Sequence, residues 1–384
     1  MPGTAARAHT DPVISSSDLV PGGLTGRAAQ TTAIRHAVAR SRLVTVTGLP
    51  GVGKSATAVT AALALTGSFA DGVALIRLDA LADEALLPHT IAAALLLPDT
   101  FGASPLTALT EQLASSRLLL VLDTCEHLLG ACAATASALT EQCPGVRVLA
   151  TSREPLRVPG EDTLDIAPLP APDAVALFSE RATQYSAAQY DAGQHKSDQH
   201  NSDQDQATVR PLRLEQAQAV CARLDGLPLA LAMAARQLAT GSLDELATSL
   251  DSGYEFLSDP DAPLARHRTM TAAIGWSHQL CTPAERLLWA RLAVFDQAFS
   301  VQDCLQVCTS SQLSEDTVKV GVPMLAERSL LLGQAGRQGG GPPRYLMPRV
   351  IRAYGLGMLC RLAEEEQMQR RYRRWRDGQR RDQS

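Results

Sequence analysis

The sequence predicts an α/β protein: a parallel sheet with helices on both faces, followed by a helical domain and a winged-helix domain. Two observations predict the sheet. Between about residues 23 and 166, short apolar runs alternate with helical stretches, and such alternation indicates successive βαβ units. A Gly-rich turn joins the first apolar run to the first helical stretch, as in doubly wound folds. The later domains follow from a helix-rich stretch after residue 208 and two short strands near the C-terminus.

The strands and helices of the first domain alternate in order along the chain. Each strand is a short apolar run, and each helix is a longer stretch between two strands. The predicted strands are 43–47, 73–78, 118–122, 146–151 and 163–166, and the predicted helices are 54–65, 85–96, 105–115 and 126–141.

The Gly-rich turn is the segment Gly48–Ser55, with the sequence GLPGVGKS. It fits the pattern G-x-x-x-x-G-K-[ST], with the preceding strand and following helix that a phosphate site requires. Glycines let successive backbone N–H groups converge on an anion, and the helix N-terminus adds its positive dipole end. Lys54 can reach the β- and γ-phosphates, and Ser55 can ligate Mg²⁺. The sequence therefore predicts a P-loop NTPase domain that binds ATP or ADP through Gly48, Gly51, Val52, Gly53, Lys54, Ser55 and Ala56.

Two carboxylates follow the leucine-rich strand predicted at 118–122. Asp123 can hold Mg²⁺ together with Ser55, and the alternative is an aspartate that only caps the next helix. Glu126 could polarise the attacking water. It could equally lie in the first turn of the helix predicted from residue 126 and favour its dipole.

Arg153 follows the strand predicted at 146–151. An arginine at the carboxyl end of a strand beside a nucleotide is well placed to sense a γ-phosphate. The alternative is a surface salt bridge with Glu154. Lys54, Glu126 and Arg153 are therefore the candidate catalytic residues.

Composition restricts the partners and the compartment. The net charge of −5 argues against a general nucleic-acid-coating role. The eight cysteines include no CxxC pair, and the interpretation of Cys304 and Cys308, four apart, is core packing rather than a metal site. The sequence has neither the apolar segment of a signal peptide nor a run approaching about 18 apolar residues. We therefore expect a reduced, cytoplasmic protein with no membrane partner.

The second half of the chain begins with a polar segment. Residues 184–208 are rich in Gln, Asp and His, which predicts a disordered insertion within the helical domain. His195 and His200 could bind a metal, although a solvated loop is the expected interpretation. Helices are predicted at 213–224, 228–239 and 242–250, then strands at 329–332 and 344–347 around Gly339–Gly341, and a last helix from Arg349.

A basic tail carries seven arginines between residues 370 and 381, interleaved with Tyr372 and Trp375. Such a tail can contact phosphates and stack on bases, or it can be a solvated helix end. The predicted organisation is a flexible N-terminus at 1–20, a P-loop domain at 21–170, a helical domain at 171–262, a winged-helix domain at 263–365 and the tail at 366–384.

Four motifs, in this order, resemble those of the signal-transduction ATPases with numerous domains (STAND). They are GLPGVGKS, LLLVLDTCEHL, VLATSREPL and CARLDGLPLAL, the last running from Cys221 to Leu231. Within that class the chain is similar to the NB-ARC-type ATPases of large bacterial transcription regulators, including the LuxR-type ones. The resemblance covers about residues 20–370 apart from the polar segment.

The resemblance implies a nucleotide-dependent switch in signal transduction, at most a slow ATPase. Members of the family hold ADP in a resting form, exchange it for ATP on activation and reset by slow hydrolysis. By matching position, Arg27 would lie on the adenine side, Pro228 would pack on the nucleotide and Arg153 would report the γ-phosphate. Because such regulators combine this core with sensor and effector domains, a protein partner supplying them is expected. The sequence leaves an ATP-driven oligomer open.

Two positions depart from the family pattern. Thr124 stands where an Asp or Asn often follows the strand's aspartate, which argues against fast hydrolysis. Met347-Pro348-Arg349 stands where many relatives carry Met-His-Asp, whose His touches the β-phosphate of ADP. Arg349 could substitute as a cation, or the switch could be leaky.

Two other functions compete with a switch. A small-molecule kinase would share the P-loop, but nothing in the sequence marks a site for a phosphate acceptor. A DNA-binding regulator would use the winged helix and the Arg-rich tail, which leaves DNA open as a partner.

Overall fold

The computed structural model describes residues 24–98, 104–194, 214–262, 264–334 and 342–382. The chain divides into two compact units. The first comprises residues up to Gly48 together with Gly53–Ala167, and the second comprises Leu49–Val52 together with Pro168 onward. The stretches predicted as helical domain, winged-helix domain and tail therefore fall within one compact unit. The predicted N-terminal segment 1–20 and the Gly339–Gly341 turn lie outside the described residues.

The first unit contains the predicted parallel sheet. All its neighbouring strands pair in parallel, in the order β2-β3-β4-β1-β5. This order makes β3 and β4 neighbours, so the residues after their carboxyl ends lie at the same edge of the sheet. The strands are β1 (Leu43–Gly48), β2 (Val73–Arg77), β3 (Leu119–Asp123), β4 (Arg147–Thr151) and β5 (Glu161–Ile166), which confirms the predicted fold class.

Helices cover both faces of this sheet. Leu120 and Leu122 pack into one apolar cluster with α3, α4 and α5, whereas the alternate residues Leu119 and Val121 are equally buried on the other face. That face is covered by α1 and α2, which contact each other and β1. The helices are α1 (Ala28–Arg40), α2 (Lys54–Leu63), α3 (Leu87–Ala94), α4 (Pro105–Leu113) and α5 (Leu129–Gln142).

The second unit opens with α6 (Ala171–Gln194), so residues 184–194 of the predicted disordered insertion 184–208 are helical. Polar side chains at the start of this stretch have partners along the helix and across it. Gln184 bonds to Glu180 at 3.1 Å, and Arg236 lies over the Tyr185 ring at 5.4 Å. His195, His200 and the rest of the polar segment lie outside the described residues. The next helices are α7 (Leu214–Arg223), α8 (Pro228–Gln237) and α9 (Leu243–Ser252).

The rest of this unit combines helices with a three-stranded antiparallel sheet of order β6-β8-β7. The predicted strand pair is present, although β7 begins at Leu332 rather than residue 329. Sequence reasoning missed β6, a two-residue strand. The elements are α10 (Met270–Leu280), α11 (Pro283–Leu292), β6 (Phe299–Ser300), α12 (Val301–Cys308), α13 (Glu315–Glu327), β7 (Leu332–Gln334), β8 (Arg344–Leu346), α14 (Arg349–Arg361) and α15 (Glu365–Asp382).

The basic tail is the helix α15, and its aromatic residues are part of the core. Tyr372 and Trp375 are 3% and 9% exposed, and both rings meet Phe295 edge-on at 5.2 and 5.3 Å. The Trp375 Nε1–H donates to Asp303 Oδ1 at 3.2 Å. The alternative in which Tyr372 and Trp375 stack on bases is therefore wrong, because both rings are already packed inside the protein.

The cysteines are thiols buried in the core, apart from the exposed Cys360. All eight cysteines are unpaired thiols, and Cys304 and Cys308 are fully buried. Across the described ranges, no group of three or more His, Cys, Asp or Glu side chains could hold a metal ion. Nor does any helix in the described part of the chain have the length and apolar character needed to cross a bilayer.

Candidate nucleotide-binding site

Glycine geometry shapes the P-loop. Gly48, Gly51 and Gly53 have φ angles of +145°, +74° and +94°, a region in which residues with side chains are strained. Gly53 is the residue before α2, so Lys54 and Ser55 form the first turn of that helix. The loop therefore presents the N-terminal N–H groups of α2 as an anion site would. Val52 is fully buried, and Ala56 is the third residue of α2.

The middle of the loop is fastened by α8. The Leu229 N–H donates to the Gly51 carbonyl at 3.1 Å. A Cβ on Gly51 would lie 3.0 Å from the Leu229 Cβ, so glycine is required here for close approach as well as for its φ angle. Pro228 is the first residue of α8, next to the residue that makes this contact.

Lys54 lies folded over its own loop. Its Nζ donates to the Gly48 carbonyl at 2.8 Å. Withdrawal from water lowers the pKa of Lys54 to about 8, and the charge of Arg153 adds to this effect while Glu126 and Asp123 oppose it. The ammonium is thus poorly solvated, and an arriving phosphate would supply a favourable counter-charge.

Asp123 is held in one orientation by Thr151. The Thr151 hydroxyl donates to Asp123 Oδ1 at 2.6 Å and accepts from the Thr124 N–H at 2.9 Å. Thr124 has a φ of +72°, which marks a sharp turn directly after β3. Asp123 does not cap α5, because α5 begins at Leu129. The oriented carboxylate and the Ser55 hydroxyl are the hard oxygen donors that Mg²⁺ prefers.

Glu126 and Arg153 form a buried ion pair. Arg153 Nε donates to Glu126 Oε1 at 3.1 Å, and the two side chains are only 8% and 7% exposed. Glu126 lies in a turn ahead of α5, so its predicted place in the first turn of that helix is wrong. The alternative for Arg153, a surface salt bridge with Glu154, is also wrong, because Arg153 is buried and pairs with Glu126.

Arg27 is 2% exposed, and its guanidinium donates to the Ala167 carbonyl at 2.8 Å. Its position therefore joins the start of α1 to the end of the first unit.

Lys54, Asp123, Glu126 and Arg153 belong to one electrostatic cluster. Asp165, whose Oδ1 accepts from the Thr47 hydroxyl at 3.1 Å, also belongs to it. Sequence reasoning missed Asp165 and Thr151. Their place at the carboxyl ends of β5 and β4 was the signal that could have found them.

Solved structures with this fold are P-loop ATPases. The Walker-type ATPase PABY2304 of Pyrococcus abyssi aligns with a TM-score of 0.55 and 11% identity, covering 90% of this chain and 98% of that one. The ORC2 protein of Aeropyrum pernix, solved as ADPNP–ADP complexes, aligns with a TM-score of 0.50 and 10% identity over 91% and 98% of the two chains. At such identities these likenesses establish the fold alone.

Curated relatives come from mycobacteria, and no family model matches the chain. The protein named "Putative HTH-type transcriptional regulator Rv0890c" of Mycobacterium tuberculosis H37Rv is 33% identical over 328 residues, which is 85% of this chain. The chain spans only 35% of that relative's length. "Uncharacterized protein Rv0894" of the same strain is 31% identical over 352 residues, covering 91% of this chain and 84% of the relative. The chain therefore belongs to the same protein family as Rv0894.

Proposed function

We propose that this protein is an ADP/ATP-binding molecular switch of the STAND, NB-ARC-type class, acting in signal transduction and transcription regulation. One observation carries the proposal: the buried Glu126–Arg153 pair, which shares an electrostatic cluster with Lys54 of the P-loop. A cation that already has a carboxylate partner can change partners when a γ-phosphate arrives. Such differential contact with one phosphate is what a two-state switch needs.

The phosphates would be held by the P-loop N–H groups and by Lys54. In this scheme Lys54 leaves the Gly48 carbonyl and engages the β- and γ-phosphates. Ser55 and Asp123 would hold Mg²⁺, which supplies charge neutralisation to the phosphates when bound. The hydrogen bond from Thr151 to Oδ1 holds the Asp123 carboxylate in place.

The Glu126–Arg153 pair would make hydrolysis slow. A carboxylate that is engaged by a guanidinium is a poor general base, because its lone pairs and charge are already committed. Glu126 becomes available only when Arg153 turns to the γ-phosphate. Thr124 supplies no second carboxylate, so we expect resetting of a switch rather than rapid turnover.

Pro228 and Arg27 complete the proposed nucleotide contacts. Pro228 is supported by the neighbouring bond from Leu229 to the Gly51 carbonyl. Arg27 is supported by its position at the start of α1, before the P-loop strand. Both remain assignments by resemblance, to be checked by substitution once binding is measured.

The partners follow from the relatives. Rv0890c carries the name of a transcriptional regulator and is much longer than the matched region, which supports a cytoplasmic regulator whose sensing and output come from other domains or a protein partner. An ATP-driven oligomer fits the same scheme. Nucleic acid is the weaker candidate partner. Only exposed arginines such as Arg370, Arg373 and Arg374 support it, since the tail's aromatic rings are buried.

Isothermal titration with ADP and with Mg-ATP tests this function. We expect both nucleotides to bind the wild-type protein and Lys54→Ala to lose at least about 100-fold in affinity, the scale of a lost charge-assisted contact to phosphate. Lys319→Ala is the matched control, because Lys319 is an exposed lysine paired with Glu315 on α13. Wild-type protein that binds neither nucleotide would contradict the proposal.

A further inference from the structure

The turn between α7 and α8 is fixed in a single conformation. Asp225 and Gly226 have φ angles of +54° and +63°, and a left-handed conformation is unfavourable for an ordinary L-residue. The Gly226 carbonyl accepts from the Leu169 N–H at 3.0 Å, and a Cβ on Gly226 would lie 2.4 Å from the Leu169 carbonyl oxygen. The turn is therefore clamped against the first residues of the second unit.

The Asp225 carboxylate leaves this turn and caps a distant helix. Its Oδ2 accepts from the Val350 N–H at 3.2 Å, across 125 positions of sequence, and the Arg349 N–H bonds to the same carboxylate. Pro348, the residue before α14, provides no side-chain cap of its own. Asp225 thus satisfies N–H groups at the start of α14 that would otherwise have no partner within the helix.

The other end of the same turn contacts the P-loop. Leu229, four residues after Asp225, donates its N–H to the Gly51 carbonyl. Two neighbouring contacts therefore join the phosphate loop, the α7–α8 turn and α14. The connection between them is short, because only Leu227 separates the left-handed residues Asp225 and Gly226 from the start of α8 at Pro228.

We propose that Asp225 is the positioning residue that couples the nucleotide state of the P-loop to α14. The contact falls at Met347-Pro348-Arg349, where the sequence has no histidine to reach a phosphate. In this chain the start of α14 is held by hydrogen bonding of its backbone to the Asp225 carboxylate on the α7–α8 turn. The inference rests on the proposed switch function and specifies how that switch is held.

The charge environment fits an adjustable contact. Burial raises the pKa of Asp225 to about 6, while the N–H groups of Val350 and Arg349 and the charges of Arg349 and Arg352 oppose the rise. An ionised carboxylate therefore stays in this site only while the helix start faces it. Movement of either the turn or α14 would return it to water.

The test compares Asp225→Gly with Asp225→Asn. Glycine removes the carboxylate yet suits the φ of +54°, whereas asparagine keeps an acceptor oxygen and also tolerates that conformation. We expect Asp225→Gly to speed release of a fluorescent ADP analogue about tenfold and to raise amide exchange at residues 349–353 by a similar factor. In Asp225→Asn, we expect ADP release and amide exchange at residues 349–353 to stay at the wild-type rates. Asp251→Asn, which alters an exposed aspartate paired with Arg223, leaves both unchanged.

The two measurements separate the coupling from the proposed function. If wild-type protein binds no ADP, the switch proposal fails, and with it the coupling, while amide exchange still reports whether Asp225 caps α14. Faster exchange at α14 without faster ADP release in Asp225→Gly would overturn the coupling. Unchanged exchange at α14 would overturn the cap itself. If Asp225→Gly does not fold, Asp225→Asn provides the test. ADP release or α14 amide exchange that differs from wild type in Asp225→Asn would then overturn the proposal.

Discussion

At the scale of single residues, the site is defined by partners that the sequence could not assign. The motifs identified Lys54, Asp123, Glu126 and Arg153, but not that Glu126 and Arg153 would face each other. Side-chain direction at the end of a strand depends on the turn that follows it. Here that turn includes Thr124 at a φ of +72°, a conformation that the presence of a threonine does not predict.

The buried Glu126–Arg153 pair gives a stability prediction. Replacing either residue by leucine removes the buried ion-pair partner of the other, and such changes typically cost about 3–5 kcal/mol. The double replacement removes both charges, so its loss of unfolding free energy should be clearly smaller than the sum of the losses in the two single variants. Urea denaturation of the four proteins measures this coupling. Strictly additive losses would mean that the two side chains do not interact.

The lowered pKa of Lys54 predicts how nucleotide affinity depends on pH. In the free protein the ammonium loses its proton around pH 8, whereas a bound phosphate favours the charged form. Binding therefore takes up a proton above pH 8, and affinity for ADP falls by up to about tenfold per pH unit there. Titration calorimetry between pH 7 and 9.5 measures the slope. Lys54→Arg should flatten it, and a wild-type affinity that is flat across this range would contradict the prediction.

At the scale of elements, the sequence predicts what periodicity and motif encode. β1 to β4 lie where the apolar runs are, because buried parallel strands read as continuous apolar segments. The edge strand β5 has the largely polar sequence EDTLDI and is only partly buried. The helix α1 was missed, since Ile34, Ala37 and Val38 are its only buried apolar residues. β6 is too short to carry a pattern, and α6 continues into polar sequence through contacts with other residues.

The buried Arg291 shows how elements of the second unit are tied together. From α11 it bonds to both oxygens of Glu364, between α14 and α15, at 2.8 and 2.9 Å. It also donates to the carbonyl of Cys308, the last residue of α12, and to the Ser310 hydroxyl just after that helix. The guanidinium thus joins three parts of the fold through one set of bonds.

Arg291→Leu should therefore lower the free energy of unfolding by about 3–5 kcal/mol, because the Glu364 carboxylate and the Cys308 carbonyl lose their hydrogen bonds from Arg291. The exposed pair Arg370–Glu366 offers the control, and Arg370→Gln should cost less than about 1 kcal/mol.

The contact between Arg291 and Glu364 also predicts that the stability of the protein depends on pH. The hydrogen bond from Arg291 lowers the pKa of Glu364, so this contribution is present above pH 4.5 and disappears as pH falls through the folded pKa. Denaturant midpoints at pH 7 and pH 3.5 measure both effects. Equal losses for the two variants at pH 7 would contradict the role assigned to Arg291.

At the scale of the whole molecule, the P-loop is shared by the two compact units. Gly48 and Gly53 belong to the first, while Leu49–Val52 belongs to the second. The motif predicted the loop and its ligand class. The assignment of the loop's residues to different compact units, and the Asp225 cap of α14, depend on tertiary contacts between residues far apart in sequence.

The nucleotide that accompanies the protein through purification tests the switch most directly. Native mass spectrometry of the full chain, prepared without added nucleotide, should find ADP bound in a one-to-one complex with wild-type protein. The same preparation of Lys54→Ala should carry none, while Lys319→Ala should retain it. Wild-type protein that emerges without nucleotide, and that takes up neither ADP nor ATP when they are added with Mg²⁺, would contradict the central claim.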